Sequence, residues 1–265
     1  MGYPRVVSSG SLCSSSRSAA NVPFRLRIGR IGDAPQWMCR PCESALAMDS
    51  FDPEAASEPG PDIAALRAAI VSGDPARAMP ALARLREVSE DQAIPLLLLG
   101  LEQTTFMVRS LACAGLGVKR NEAGRQALER FLRSDADANV RAEAANALAS
   151  HGVERAWPLL RSAFEADDHW LVRCSILSAL AEHPQMDPER LLDLAELALR
   201  DGDGSVRVGG AEILGRLVRE AGTALTSTSG EGAPQPWQRA RSLLMAHQTD
   251  PDHRVVAAAL DGLQV

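Results

Sequence analysis

The stretch "DANVRAEAANALASHG", Asp137–Gly152, sets Val140-Arg141 ahead of Ala144, Ala145, Ala147 and Leu148. Taken alone it reads as an Ala-rich amphipathic helix. The same pattern recurs along the chain. Val108-Arg109 leads to Ala112, Cys113, Gly115 and Leu116; Val172-Arg173 to Ile176, Leu177, Ala179 and Leu180; Val206-Arg207 to Gly210, Ala211, Ile213 and Leu214. Weaker copies stand at either end. One is centred on Ala78, followed by Ala81, Leu82 and Leu85; the other on Val256, followed by Ala259, Leu260, Gly262 and Leu263. The centres 78, 109, 141, 173, 207 and 256 are spaced by 31, 32, 32, 34 and 49 residues. A period of this size is the mark of a repeat array in which each unit buries its face only against its neighbours.

The expected fold is all-α: a right-handed α-solenoid of about six short helix-pair units over residues 62–265. In each unit the first helix carries the Val-Arg pattern and the second follows a short turn. "NEAGRQALERFL" (Asn121–Leu132) is one second helix, with Ala123, Ala127, Leu128 and Phe131 on its apolar face; "ERAWPLLRSAF" (Glu154–Phe164) and "PERLLDLAELAL" (Pro188–Leu199) are the next two. Asp187-Pro188 predicts a capped helix start, Ser89 with Gln92 a capping box, and Gly117 and Gly152 helix stops. No segment alternates with period two for long enough to predict a strand.

Small residues three, four and six places after the Arg let neighbouring first helices approach closely, and Leu at seven fills the seam. The Arg lies on a face that stacking buries, and a buried guanidinium needs acceptors. Asp137, Asp168 and Asp203 precede Arg141, Arg173 and Arg207 in the turns. These residues, with Arg109, predict a structural Asp–Arg ladder across adjacent units. The end copies, with Ala78 and Val256 in place of Arg, suit units that lack a second neighbour.

"DANVRAEAANALASHGVERAWPLL" resembles a short HEAT repeat of the phycobilisome-lyase-like HEAT family, over about residues 74–265. The Trp-Leu-Gly-Tyr and Thr-Pro-Leu-His patterns of tetratricopeptide and ankyrin repeats are missing. The resemblance implies a cyanobacterial source and a scaffold that binds a protein partner, with phycobilisome components among the candidates. It also implies two alternatives: a phycobilin lyase or lyase subunit acting on antenna proteins, and a partner of iron–sulfur assembly factors.

Composition bounds the rest. The chain has 265 residues, 46% hydrophobic but only 4% aromatic, which suits closely packed small helices. A net charge of −6 gives no support to general nucleic-acid binding. The longest apolar runs, such as Ile94–Leu101, are too short to span a bilayer. Five cysteines do not make a disulfide framework, so the expected setting is reducing and cytoplasmic.

Residues 1–47 stand apart, with six Arg against Asp33 and Glu43 and the Ser-rich run Ser8–Ser18. Three readings stay open for them: translation upstream of the true start, a targeting segment, or a disordered arm. Met48 opens an acidic lead, 48–61. The extra length between the last two centres falls in the polar stretch Thr223–Pro236, expected as a loop inserted into the fifth unit.

No catalytic motif emerges, and no cofactor is expected. None of the five His is followed by Glu, which disfavours a HEAT-repeat di-iron hydroxylase. Cys39 and Cys42 have metal-type spacing but lack a second pair for a tetrahedral site, so no metal is expected. The reading leans to a protein without catalysis; were it an enzyme, bilin lyase is the activity. Binding candidates are Glu129, Arg161 and Asp193, one equivalent position on three successive second helices, which HEAT arrays turn to the concave side. Trp157, four residues before Arg161, joins them. Trp170 in "DDHWLVR" (Asp167–Arg173) is either a core cap or an exposed anchor.

Overall fold

The computed structural model describes residues 61–183, 186–225 and 235–264. The stretch 1–47 with Cys39 and Cys42, the acidic lead but for Pro61, and the centre of the inserted loop lie outside them. Among the described residues there are twelve α-helices and no strand. They are α1 (Ile63–Ile70), α2 (Pro75–Arg84), α3 (Glu90–Leu101), α4 (Phe106–Val118), α5 (Glu122–Ser134) and α6 (Ala138–Ser150). There follow α7 (Val153–Ala166), α8 (Trp170–Ala181), α9 (Pro188–Ala198), α10 (Gly204–Leu225), α11 (Gln235–Ala246) and α12 (His253–Gly262).

The repeat pattern falls on the even-numbered helices, and these stack in sequence: α2 on α4, α4 on α6, α6 on α8, α8 on α10, α10 on α12. The odd-numbered helices form the second layer, with α1 against α3, α3 against α5, α5 against α7 and α9 against α11. The result is an all-α solenoid. Its seam is the repeated Val and Leu: Val108, Val140, Val172, Val206, Leu116, Leu148, Leu180 and Leu214 are all buried. Each such side chain contributes about 1.5–3 kcal/mol by leaving water.

Small residues set the spacing of the stack. A Cβ on Gly210 would come within 2.9 Å of the Ala195 carbonyl oxygen, and one on Gly215 within 2.8 Å of the Gly262 Cα. Two glycines therefore meet where α10 crosses α12. Gly117 shows the same use. It does not stop its helix, since α4 runs on to Val118; a Cβ there would lie 3.1 Å from the Ala147 Cα. Packing against α6 thus accounts for a glycine that sequence alone assigns to a helix end.

Helix starts follow local chemistry. Asp187 accepts the Glu189 N–H at 2.9 Å ahead of Pro188 at the first helical position. Gly152 has φ +115°, a conformation that favours glycine, at the junction of α6 and α7. Ser89 sits at the N-cap of α3 but makes no side-chain bond to the backbone; its hydroxyl donates to Gln92 Oε1 at 3.4 Å. On α5 the buried face is Gly124, Ala127, Leu128 and Leu132, with Phe131 half-buried and Ala123 exposed. The buried face begins at Gly124, where an added Cβ would meet Leu116 Cδ2 at 3.0 Å.

Candidate interaction surface

The inter-unit turns are built on one short formula, Asp-x-Asp or Asp-x-His, read in the loops before α6, α8, α10 and α12. The first Asp of each turn receives the Arg of the preceding unit in a two-point contact. Arg109 donates to Asp135 at 2.8 and 2.9 Å, and Arg141 to Asp167 at 2.7 and 3.0 Å. Arg173 donates to Asp201 at 2.6 and 2.9 Å, and Arg207 to Asp250 at 3.1 and 3.0 Å. Each Arg also closes its own turn, its Nη1 donating to the carbonyl six residues back: Gln103, Asp135, Asp167 and Asp201. One guanidinium thus ties a turn to itself and to the next unit.

The acids of the ladder are therefore Asp135, Asp167, Asp201 and Asp250, a correction to the assignment of Asp137, Asp168 and Asp203. Asp137 and Asp203 are the second acids of their turns and cap the next helix, accepting the N–H of Asn139 at 2.8 Å and of Ser205 at 2.7 Å. Asp168 is the middle residue of its turn, its side chain fully exposed and 3.9 Å from Arg141. The physical reason is stacking. The acid that meets a guanidinium comes from the following unit, and its other duty is to accept the N–H two residues on, as Asp135 does from Asp137 at 2.8 Å.

The ladder's electrostatics follow from this geometry. The hydrogen bonds Arg109 donates to Asp135 raise the Arg109 pKa above its ordinary value, and those to Asp167, Asp201 and Asp250 act alike on Arg141, Arg173 and Arg207. Burial alone would raise the Asp135 and Asp167 carboxyls. The guanidinium bonds, turn N–H groups and nearby positive charges outweigh it and hold both below the usual carboxylate range. Asp250 is lowered first by its Arg207 bond. The ends match: Gln103 stands where the first acid would be, opposite Ala78, and Val256 offers no guanidinium to a further unit.

The predicted binding residues take distinct places. Glu129 pairs with Arg125 on its own helix, and Arg161 with Glu165 at 2.7 Å. Asp193 is exposed and lies 3.4 Å from Arg239 of α11. The three equivalent positions are thus engaged in surface ion pairs, each worth little by itself. Two further pairs link successive second helices, Glu122 with Arg155 at 3.1 Å and Glu154 with Arg190 at 2.7 Å. Trp157 is half-buried against the core, with the Arg190 guanidinium 5.8 Å from its ring centroid. Trp170 opens α8, 44% exposed, its ring stacked on His169, whose Nδ1 caps the helix by accepting the Leu171 N–H.

One residue of this surface escaped the sequence reading. Trp237 on α11 repeats Trp157: each stands three residues before a buried pair spaced by four, Ala240 and Leu244 here, Leu160 and Phe164 there. Arg241 lies 5.8 Å from the Trp237 ring as Arg190 does from Trp157, and the indole N–H donates to the Val218 carbonyl. The signal was present in the chain but displaced by the inserted loop. Among the described residues there is no group of three or more His, Cys, Asp or Glu arranged to hold a metal, no buried polar side-chain atom without a partner, and no helix long and apolar enough to cross a membrane.

Stacked helix pairs joined by an Asp–Arg ladder define a repeat class, and residues 94–181 match the family of HEAT repeats. The protein is an all-α solenoid, and the match to HEAT repeats covers 94–181, about a third of the chain. Among solved structures it is similar to the X-ray structure of the YibA protein of E. coli, at 16% identity and a TM-score of 0.52, over 75% of this chain and 68% of that one. Human deoxyhypusine hydroxylase in complex with glycerol aligns at 15% identity and a TM-score of 0.40, over 76% and 94%. The complex of CpcE and CpcF of phycocyanin lyase from Nostoc sp. PCC7120 aligns at 20% identity and 0.35, over 76% and 96%. At 16% identity the likeness to the E. coli protein speaks to fold alone. No curated protein matches the chain.

Proposed function

We propose that the protein is a non-catalytic scaffold that holds a protein partner along the face of its second helices. The observation that carries this reading is a half-buried Trp faced by an Arg on two second helices: Trp157 by Arg190 of the next second helix, and Trp237 by Arg241 one turn on in its own helix. Trp and Arg are the residue types that dominate binding energy at protein interfaces, and a helix-pair array presents them on a rigid frame. Glu129, Arg161 and Asp193 supply a polar rim, and Trp170, exposed at the start of the first helix α8, is a separate anchor off that face. The buried, free Cys113 and half-buried Cys174 suit a reducing compartment such as the cytoplasm.

The test is affinity capture from the native host with the wild type and with the Trp157→Ala, Arg161→Glu double variant, identified by mass spectrometry. The scaffold reading expects the variant to keep its helicity and lose about tenfold in retention of the partner. A parallel assay mixes the purified protein with a bilin and an antenna subunit. Accelerated bilin transfer or removal would replace the scaffold reading with that of a lyase; equal retention by the variant would move the binding face elsewhere.

A further inference from the structure

The repeats supply an internal control for the opposite, first-helix face. Two, five and nine places after the ladder Arg, α6 carries Glu143, Asn146 and Ser150, and α10 carries Gly209, Glu212 and Arg216. In α8 the same places are Ser175, Ser178 and Glu182. In α4 they are Leu111, Ala114 and Val118. Met107 extends the stripe by one turn, so that 107, 111, 114 and 118 line one helix face over about 16 Å. Met107 is 43% exposed and Val118 59%. Among the four helices that carry a ladder Arg, α4 alone has no polar residue at these places.

The stripe borders a hollow of about 100 Å3 between α2, α3 and α4, with Leu82, Leu97 and Gly115 in its lining and Arg86 and Lys119 beside them. A Cβ on Gly115 would come 2.3 Å from Leu97 Cδ2, so a larger residue there would displace the Leu97 tip; the equivalent residues are Ala147, Ala179 and Ile213. The hollow has room for one aliphatic side chain. Its lining holds two cations, Arg86 and Lys119, and no acid; α2 adds Arg77 and Arg84 and, like α4, contains no acidic residue, while Glu87 follows Arg86 and α3 opens with Glu90 and Asp91. Arg86 is exposed and Lys119 half-buried.

We propose that this face docks an acidic amphipathic helix of a partner protein, one apolar side chain entering the hollow and flanking carboxylates meeting Arg86, Lys119 and Arg84. The choice rests on charge complementarity and on a length and spacing that match a helix laid in a groove. The site is separate from the second-helix face, so either can fail without the other.

Fluorescence polarisation on the full chain tests it with four probes. They are a labelled 16-residue helix with Leu at i, i+4, i+7 and i+11 and Glu flanks, its Lys-flanked twin, a peptide of residues 48–61, and phosphatidylserine vesicles. The Glu-flanked helix should bind at micromolar concentration and the Lys twin about tenfold more weakly. Val118→Glu should weaken the Glu-flanked helix about tenfold with an unchanged melting curve, and Arg86→Glu with Lys119→Glu should reverse the preference between the twins. Absence of binding, equal binding of the twins, or indifference to Val118→Glu would overturn the proposal. Preference for the 48–61 peptide would make the occupant this chain's own acidic segment, and preference for vesicles would make the face a membrane contact; both overturn it.

Discussion

Arg141 and Asp167 stand 26 residues apart in the chain, yet meet through two parallel hydrogen bonds of 2.7 and 3.0 Å, the geometry of a guanidinium fork on a carboxylate. The Arg side chain is 15% exposed and the Asp 9%. Neither group is ideally placed for water, and each satisfies the other while also holding a turn. Such a pair fixes register between units more than it adds net stability, but breaking it from one side strands a partly buried charge.

Arg141→Ala should therefore destabilise the array by about 2–5 kcal/mol, read from denaturant melts. Arg141→Lys should recover only part of this, because an ammonium cannot make the two-point contact. The double variant with Asp167→Ala should cost less than the sum of the singles. Additive losses would show that the pair does not act as a unit.

Much of this fold was legible in the chain because the repeat states the same rule several times. Helix identity, stacking order and the four ladder arginines all come from that recurrence. The acids did not, and the reason is physical. Asp137 and Asp203 lie near Arg141 and Arg207 in sequence, but the partner of a guanidinium is chosen by the unit that stacks next, 26 residues or more downstream. With two acids in a turn, sequence cannot say which caps a helix and which reaches back. Trp237 was hidden by the inserted loop, and the equivalent charges at Glu129, Arg161 and Asp193 gave no sign that each would find an ion-pair partner.

Acid should loosen the array as a whole. Asp135, Asp167 and Asp250 have folded-state pKa values lowered below that of an ordinary carboxyl. Their stabilisation is complete above the unfolded-state value of about 4 and is lost as pH falls through the folded-state values. The melting temperature should hold from neutrality to about pH 5 and fall steeply below about pH 4. In Asp135→Asn with Asp167→Asn that fall should be shallower, from a lower plateau. A slope identical to wild type would place the acid-sensitive groups elsewhere.

Glu143 runs the other way. Burial raises its pKa, partly offset by a hydrogen bond with Asn146, so the charged form is carried at neutral pH at some cost. A carboxyl with a raised folded-state pKa favours the fold when protonated and weakens it as pH rises past the unfolded-state value. Glu143→Gln should raise the melting temperature at pH 7 by about 1–3 °C, and the gain should vanish near pH 4. A loss of stability at pH 7 would mean the carboxylate has a function in the fold that its surroundings do not reveal.

The crossing of α10 and α12 gives the sharpest packing test. A Cβ built on Gly262 meets the Gly215 Cα at 2.7 Å, backbone that cannot swing aside as a side-chain tip would. Gly262→Ala must push the last helix off its neighbour, although alanine itself is the better helix former. The expected result is a net loss of about 1–3 kcal/mol together with faster amide exchange confined to α12. At Gly202 the same substitution meets open space, since nothing lies within 4 Å of an added Cβ, and stability should change little. Equal effects at the two sites would show that the α10–α12 contact tolerates a wider spacing. The Arg207–Asp250 pair would then carry the docking of α12 without help from the close glycine contact.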